Sequence, residues 1–307
     1  MTYYMTSARD VPVGIIVFNR PRHTARVLER LRQVRPRHLY VIADGPRPNR
    51  TEDAARCLET RGMFDDLGWD CEVRREFASS NLGCRVRVSS GLDWLFSQVE
   101  EAIILEDDCV PEQSFFEFCS ELLQKYRNDL NVSAITGDNF QSHHRRASGS
   151  YYFSRYMHVW GWATWRRAWR YFDTDLRSWQ LMRNTDWLST VLENQNLVRF
   201  WKSQFDAVFT KRLDTWDYQW QHAIWLQNGL VATPNVNLVS NIGDGPDATH
   251  TLELGPLLRR STEPISVPLE HPRTVMRDSI ADKYEETQFV PSFARRLTRK
   301  AVKLLQR

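Results

Sequence analysis

The stretch that decides the fold is AIILEDD at residues 102–108, in which four apolar residues precede three consecutive carboxylates. A short apolar run of this kind is typical of a β-strand buried on both faces of a sheet. Two similar runs precede it, VPVGIIVF at 11–18 and HLYVIAD at 38–44, and CEVRREF at 71–77 predicts a further strand. The first third of the chain therefore predicts a series of buried strands.

The segments between these strands carry helix signals. Pro21 suits the first turn of a helix, and apolar residues recur at helical spacing as far as Val34. Thr51, followed by two acidic residues, predicts a cap and a helix to about residue 61. Further helices are predicted around 92–99 and over 112–126. Strands that alternate with helices imply an α/β fold with right-handed crossovers and a parallel sheet, whose ligands bind beyond the carboxyl ends of the strands.

Composition narrows the class of protein. A chain of 307 residues that is 42% hydrophobic can form one large α/β domain or two small ones. Its five cysteines show no CxxC pair, which favours reduced thiols in the cytosol. We see neither a signal peptide nor 18 consecutive apolar residues, and we expect a cytoplasmic protein. A net charge of +3 argues against nucleic acid as a main partner.

The polar side chains at the predicted strand ends are the first candidate site. Glu106, Asp107 and Asp108 end one strand, and like charges this close raise each other's pKa. A divalent cation relieves that repulsion, and carboxylate oxygens suit Mg²⁺ or Mn²⁺. We expect Asp108 to be the metal ligand, with Asp107 and Glu106 orienting it or binding ribose and sugar hydroxyls. The alternative is an acidic strand end that caps the following helix.

Two further strand ends supply polar groups. Asn19 and Arg20 follow the first strand, where Arg20 can pair with a diphosphate or can simply be a surface arginine beside a turn. Asp44 follows the second strand. It can accept a hydrogen bond from the N–H of a nucleobase, or it can belong to an ordinary Asp-Gly-Pro turn.

Beyond residue 130 the pattern changes. Most of the 12 tryptophans fall between residues 160 and 225, where they can form core or stack on sugar faces. Within this region, Trp160-Gly161-Trp162 is either core or a sugar contact, since glycine allows close approach of a substrate. Residues 241–256 are rich in Gly, Pro and Asp and predict a loop.

The last residues, 291–307, form a basic amphipathic tail in the sequence. Phe293, Leu297, Leu304 and Leu305 share one helical face, with six basic residues around the other side. This pattern predicts peripheral contact with an anionic membrane surface, on the inner face of the cell membrane. The alternative is a solvated basic end.

Six segments, in this order, resemble the GT-A glycosyltransferases: NRP, ADG, LEDDCVPEQSFFEFCSELLQKY, VWGWATWRRAW, TWDYQW and NIGDGPDATHT. The likeness is greatest to the N-acetylglucosaminyltransferase I family, with its EDD form of the DxD motif, and covers roughly residues 11–251. It implies a GT-A mixed sheet flanked by helices, in a bacterial relative. Residues 1–130 would bind the nucleotide-sugar, residues 131–290 would bind the acceptor and carry the catalytic base, and the tail would follow.

The resemblance also implies a role for each matching residue of the donor half. Arg20 would contact the donor phosphates and Asp44 the uracil. Asp108 would hold the metal, with Glu106 and Asp107 facing the sugar and ribose. A UDP-sugar is then the favoured donor, UDP-GlcNAc the lead candidate, and a glycan or lipid-linked molecule the acceptor.

In the second half, the resemblance places the catalytic base at Asp217 and a donor-covering loop at His250. Direct attack by an acceptor hydroxyl that Asp217 deprotonates would invert the anomeric centre. Asp217 can instead be an acidic residue that stabilises a first helical turn, in which case Asp214 is the next candidate base. His250 can instead be a solvated loop residue.

Two other functions compete with this reading. A sugar-1-phosphate nucleotidyltransferase uses a similar sheet, but usually has a Gly-rich phosphate loop where this chain has Asn19-Arg20-Pro21. A non-catalytic metal- or glycan-binding module would have no need of a nucleotide pocket.

Overall fold

The computed structural model describes residues 7–142, 144–146, 148–243 and 259–289. The strands within these ranges are β1 (Val13–Val17), β2 (His38–Ala43), β3 (Glu72–Phe77), β4 (Glu101–Glu106), β5 (Cys109–Pro111), β6 (Val132–Thr136), β7 (Tyr151–Ser154), β8 (Trp162–Trp165), β9 (Leu230–Pro234) and β10 (Val239–Asn241). The helices are α1 (Pro21–Val34), α2 (Thr51–Gly62), α3 (Cys84–Gln98), α4 (Ser114–Lys125), α5 (Arg166–Trp169), α6 (Arg177–Met182), α7 (Trp187–Val191), α8 (Gln195–Phe209), α9 (Asp217–Leu226) and α10 (Ser279–Phe289).

Eight strands form one mixed sheet in the order β3-β2-β1-β4-β8-β6-β9-β7. The first four are parallel, as the alternation of strands and helices predicts. β8 then runs antiparallel to both β4 and β6. β5 and β10 pair separately as a two-stranded ribbon. The expected α/β fold with a mixed sheet flanked by helices is confirmed.

Both faces of the parallel strands β1, β2 and β4 are buried, which explains their continuous apolar sequences, whereas β3 lies at the edge of the sheet and has no fully buried residue. Along β1, Val13, Ile15 and Val17 belong to the core beneath α1 and α4. Ile16, between them, belongs to the core on the opposite face, beneath α3, α8 and α9. Successive side chains of a strand point to opposite faces, so a strand between two helical layers has no polar side.

Local signals set the helix boundaries only in part. α1 begins at Pro21, as predicted. Thr51 is not a cap: Arg50 occupies that position, without a side-chain cap hydrogen bond. α3 begins at Cys84, well before residue 92, because Gly83 turns the chain with a φ of 79°. In the part of the chain that the structure describes, no helix is long and apolar enough to cross a membrane.

Candidate active site

A cleft of about 960 Å³ lies at the carboxyl edge of the parallel strands. Asp44 follows β2, Asn19 and Arg20 follow β1, and the triplet 106–108 ends β4; all of them line the cleft. These strands are consecutive in the sheet, and neighbouring strands lie about 4.8 Å apart. The side chains predicted from strand ends therefore form one row across the sheet edge.

Arg20 is held by the acidic triplet. Its Nε donates to Asp107 Oδ2 at 3.2 Å, and its Nη2 forms a second bond with Asp107 Oδ1. Its Nη1 lies 2.9 Å from Asp108 Oδ2. The guanidinium carries more N–H donors than these three contacts use. Arg20 is thus oriented before any ligand arrives and still has donors for a phosphate.

Burial and mutual repulsion strain the triplet electrostatically. Desolvation, then the charges of Asp108 and Asp107, raise the pKa of Glu106 to about 8. Desolvation also raises the pKa of Asp107, although Arg20 opposes that effect. Asp107 additionally accepts the backbone N–H of Phe18 at 3.4 Å. One guanidinium does not offset the repulsion among three neighbouring carboxyl groups, and a further cation would favour their ionised forms.

The β5–β10 ribbon closes the side of the cleft next to Asp108. Asn241 pairs with Cys109, and the backbone N–H of Ile242 donates to the carbonyl of Asp108 at 2.9 Å. A Cβ on Gly243 would lie 2.1 Å from Asp108 Oδ2, so a larger residue would displace that carboxylate. Gly243, the last described residue before 244–258, therefore lies directly beside Asp108. The predicted lid residue His250 lies outside the described residues.

The donor set fits a divalent cation that is held by few protein ligands. Among the described residues, no group of three or more His, Cys, Asp and Glu side chains forms a ready-made metal cage. Asp107 is occupied by Arg20, whereas Asp108 has one oxygen within 2.9 Å of Arg20 and the other 3.5 Å from the amide of Asn241. Mg²⁺ and similar cations are commonly held by one or two carboxylates together with substrate phosphates and water. Asp108 would be the protein ligand here.

Asp44 lines the cleft, but its carboxylate is already used. Oδ1 accepts the backbone N–H groups of Gly45 and Leu82, both at 2.8 Å. Oδ2 accepts the Asn81 side-chain amide at 2.9 Å and the Gly83 N–H at 3.2 Å. A carboxylate offers about four lone-pair sites, and four donors fill them. The expectation that Asp44 accepts a base N–H therefore conflicts with its geometry, because Asp44 holds the turn that precedes α3.

Asn19 is also committed to structure. Its side-chain amide donates to Asp53 Oδ1 at 2.7 Å, and the Asp53 carboxylate binds Arg47 through Nε at 2.6 Å and Nη2 at 2.9 Å. Arg47 nevertheless lines the cleft, and its guanidinium lies 5.3 Å from the ring centroid of Phe18. Asn19 therefore contributes to the site by fixing the wall formed by the start of α2.

The structure places Asp217 in the same cleft as the triplet, at the first residue of α9. Its charge is one of the causes that raise the pKa of Glu106. Asp217 Oδ1 accepts the backbone N–H of Tyr218 at 3.0 Å and the hydroxyl of Thr215. Among the described residues, Oδ2 has no hydrogen-bond partner. One oxygen therefore orients the carboxylate, and the other can accept a proton.

Asp214, the next candidate base, is tied to α3 instead. Asp214 Oδ1 accepts the backbone N–H of Arg85 at 3.3 Å, and a Cβ on Gly83 would lie 2.9 Å from Oδ2. Asp214 lies three residues before α9, which begins at Asp217 with Trp216 as its cap residue.

The Trp160-Gly161-Trp162 unit divides between cleft and core. Trp160 is half-buried, lines the cleft, and packs edge-on against Phe140 with ring centroids 5.6 Å apart. Trp162 is fully buried on β8 and stacks on Trp216, so the expected sugar contact does not hold for it. Gly161 is buried with a φ of 72°, and its added Cβ would lie 2.7 Å from Val239. Gly161 therefore serves the bend between the two tryptophans and the close packing on Val239, and not the approach of a substrate.

Sequence reasoning missed part of the cleft wall. Arg47, Arg50 and Arg56 line it from the loop before α2 and from α2 itself. The arginine-rich composition hides them, because 35 of the 41 basic residues are arginine. Phe18, the last residue of the apolar run 11–18, also lines the cleft. The available signal was the clustering of three arginines shortly after a predicted strand end.

Comparisons with known proteins give little further guidance. No protein-family model matches the chain, and no curated protein sequence matches it. Among solved structures, the chain is similar to a mannosyltransferase from Pyrobaculum calidifontis, determined in complex with GDP-Man and Mn²⁺. The sequence identity is 14% and the TM-score 0.36, over 54% of this chain and 48% of that one, so the chain spans less than half of that protein's length. A likeness of this degree assigns neither a family nor a ligand to this chain.

Proposed function

We propose that the chain is a metal-dependent glycosyltransferase that moves a sugar from a nucleoside-diphospho-sugar to an acceptor hydroxyl, with inversion. One observation carries this proposal. A single cleft holds Arg20 and an acidic triplet on the strand-end side, and on the helix side Asp217, whose Oδ2 has no hydrogen-bond partner among the described residues. The first group suits a diphosphate and its cation, and the second suits the removal of a proton.

The order of the strand ends sets how the nucleotide-sugar would lie in the cleft. The diphosphate lies over β1 and β4, where Arg20 donates its remaining N–H groups and Asp108 would hold the cation. When bound, a divalent cation stabilises the negative charge that develops on the departing diphosphate. The sugar then extends towards Trp160 and Asp217, and the nucleoside towards β2.

Asp217 completes the reaction from the acceptor side. The acceptor hydroxyl transfers its proton to Asp217 Oδ2 while its oxygen forms a bond to the anomeric carbon. The bond between that carbon and the phosphate oxygen breaks, and its electron pair leaves with the diphosphate. Attack from the face opposite the leaving group inverts the anomeric configuration. The hydrogen bonds to Oδ1 fix Asp217 at the start of α9 for this step.

Finer details rest on the family resemblance alone. It supports residues 1–130 as the donor half, residues 131–290 as the acceptor half, and bacterial glycan or polysaccharide synthesis as the setting. It also favours a UDP-sugar, with UDP-GlcNAc as the lead donor, although the carboxylate of Asp44, which it assigns to uracil, already accepts four hydrogen bonds within the protein. A lipid-linked acceptor would accord with membrane contact through the tail 291–307, which lies outside the described residues.

The rival functions fit the cleft less well. A nucleotidyltransferase would bind triphosphate in a Gly-rich loop after β1, whereas α1 begins there directly at Pro21 with Arg20 turned onto the triplet. A non-catalytic binding module would not need Asp217, a carboxylate in the same cleft that is oriented by hydrogen bonds to one of its oxygens.

A donor screen tests the proposal. The full chain is incubated with a panel of nucleoside-diphospho-sugars in Mn²⁺, and separately in excess EDTA, and released nucleoside diphosphate is measured. We expect release of nucleoside diphosphate from one class of donor in Mn²⁺ and none in EDTA. In the product formed with an added acceptor, the NMR signal of the anomeric proton should show the anomeric configuration opposite to that of the donor. Full activity in EDTA, or release of pyrophosphate from a nucleoside triphosphate and a sugar phosphate, would contradict the proposal.

A further inference from the structure

The end of the cleft that would hold the nucleobase is rich in hydrogen-bond donors. With the diphosphate over β1 and β4, the nucleoside reaches β2 and the start of α2, because β2 is the next strand beyond β1. The acceptor expected there, Asp44, has all its lone-pair sites filled by the N–H of Gly45 and by donors of the turn 81–83. Base recognition must therefore come from other groups.

Three arginines stand at this end. Arg47, Arg50 and Arg56 line the cleft, and Arg50 and Arg56 are exposed. Glu52 lies among them and is exposed as well, so this wall offers several guanidinium donors and one carboxylate acceptor. Arginine pairs through two parallel hydrogen bonds with two adjacent acceptors on one edge of a ligand.

The same wall includes a flat surface. Phe18 lines the cleft, and the Arg47 guanidinium lies 5.3 Å from its ring centroid. The bidentate contact with Asp53 keeps that guanidinium in place. Aromatic rings and guanidinium planes both stack on nucleobases, and a larger base covers more of such a surface.

We propose that this wall selects guanine, so that the donor is a GDP-sugar; the inference rests on the proposed glycosyltransferase function. Guanine presents two adjacent acceptors, O6 and N7, which are the preferred bidentate partners of arginine. Its N1–H and N2–H groups suit the Glu52 carboxylate. Arg50 and Arg56 are the specificity-determining residues, and Phe18 with Arg47 is the stacking surface.

The other bases satisfy this wall less completely. Adenine turns an amino group towards the guanidinium groups, where guanine has O6. Cytosine likewise presents an amino group on the corresponding edge. Uracil has carbonyl oxygens but no adjacent O6–N7 pair, and its single ring covers less of the Phe18–Arg47 surface.

Binding of four nucleoside diphosphates tests this selection. Calorimetric titrations of the full chain with GDP, ADP, UDP and CDP in Mn²⁺ should show GDP binding at least about tenfold tighter than UDP. Arg50→Gln and Arg56→Gln should each weaken GDP binding about tenfold and leave UDP binding nearly unchanged. Both residues are exposed, so these variants should fold. Arg26→Gln removes an exposed arginine of α1 outside the cleft, controls for net charge, and should change neither affinity.

The outcomes separate the inference from the function on which it rests. Tighter binding of UDP than of GDP overturns guanine selection but leaves the glycosyltransferase proposal intact. Equal weakening of all four nucleotides by Arg50→Gln and Arg56→Gln also overturns it, because it indicates a general charge effect. Failure of all four to bind in Mn²⁺ overturns both.

Discussion

The two ends of the cleft are built differently. At the strand-end side, Arg20 and Asp44 already have their hydrogen bonds and ion pairs within the protein. At the helix side, Asp217 has one oxygen engaged and one without a partner among the described residues. The donor end is thus fixed by polar contacts in advance, while the acceptor end keeps an unused proton acceptor above a tryptophan core. In the proposed reaction, the donor would therefore bind to a rigid frame, and a single side chain would take the proton.

The largest expected effect concerns the proton acceptor. Asp217→Asn keeps the shape of the side chain but removes its basicity, so turnover should fall by about 10²–10⁴ while nucleotide affinity stays nearly constant. Asp214→Asn is the matched control, since Asp214 lines the same cleft but its oxygen is bonded to α3. Steady-state transfer rates and nucleotide titrations of both variants provide the measurement. Near wild-type turnover in Asp217→Asn would show that Asp217 is not the proton acceptor.

The second effect separates core from cleft within the tryptophan segment. Trp162→Ala empties a fully buried site and should lower the free energy of unfolding by about 3–5 kcal/mol. Trp160→Ala should lower the free energy of unfolding by less than half as much, because the Trp160 ring is only half-buried. Relative to that smaller loss of stability, it should reduce the rate of transfer to the acceptor more than Trp162→Ala does. Urea unfolding and transfer rates of both variants test the pair. Equal destabilisation by the two would show that Trp160 is also core.

A third effect concerns acid stability at the acceptor end. His222 on α9 is buried among Trp179, Trp187 and Phe205, and burial lowers its pKa to about 4. The unfolded chain binds the proton near pH 6.5, so between about pH 6.5 and 4 the unfolded state holds more protons and stability falls as the pH falls. The loss is at most roughly 3 kcal/mol.

Substitution of this histidine isolates its share. His222→Phe should flatten the fall in unfolding free energy between pH 6.5 and 4, as measured by urea unfolding at several pH values. Parallel profiles for the wild type and His222→Phe would show that other groups cause the acid loss.

Sequence patterning predicted the donor end well because strand burial and strand-end chemistry are local properties. The apolar runs located β1, β2 and β4, and the segment 71–77 located β3, to within two residues at each end; the polar residues that follow β1, β2 and β4 line one cleft. The sequence could not show that the turn 81–83 would occupy Asp44, since those contacts join residues that are 37 to 39 positions apart.

The acceptor end was less predictable for a related reason. Trp160 and Trp162 are two residues apart, yet one lines the cleft and the other is core, because the chain bends between them at Gly161, which has a positive φ. The residue before α9, Trp216, stacks on Trp162 of β8, which is more than 50 positions earlier in the chain. Only the family resemblance pointed to Asp217, and no local pattern places it opposite the triplet.

The most direct test of the central claim is the joint binding of Mn²⁺ and nucleoside diphosphate at the triplet. Electron paramagnetic resonance can follow the signal of free Mn²⁺ on addition of GDP or UDP, with and without the full chain. For the wild type we expect a loss of signal beyond that caused by nucleotide alone, and for Asp108→Ala no such additional loss. Asp214→Ala, in the same cleft, should behave as the wild type. An equal loss of free Mn²⁺ with Asp108→Ala and with the wild type would contradict the account.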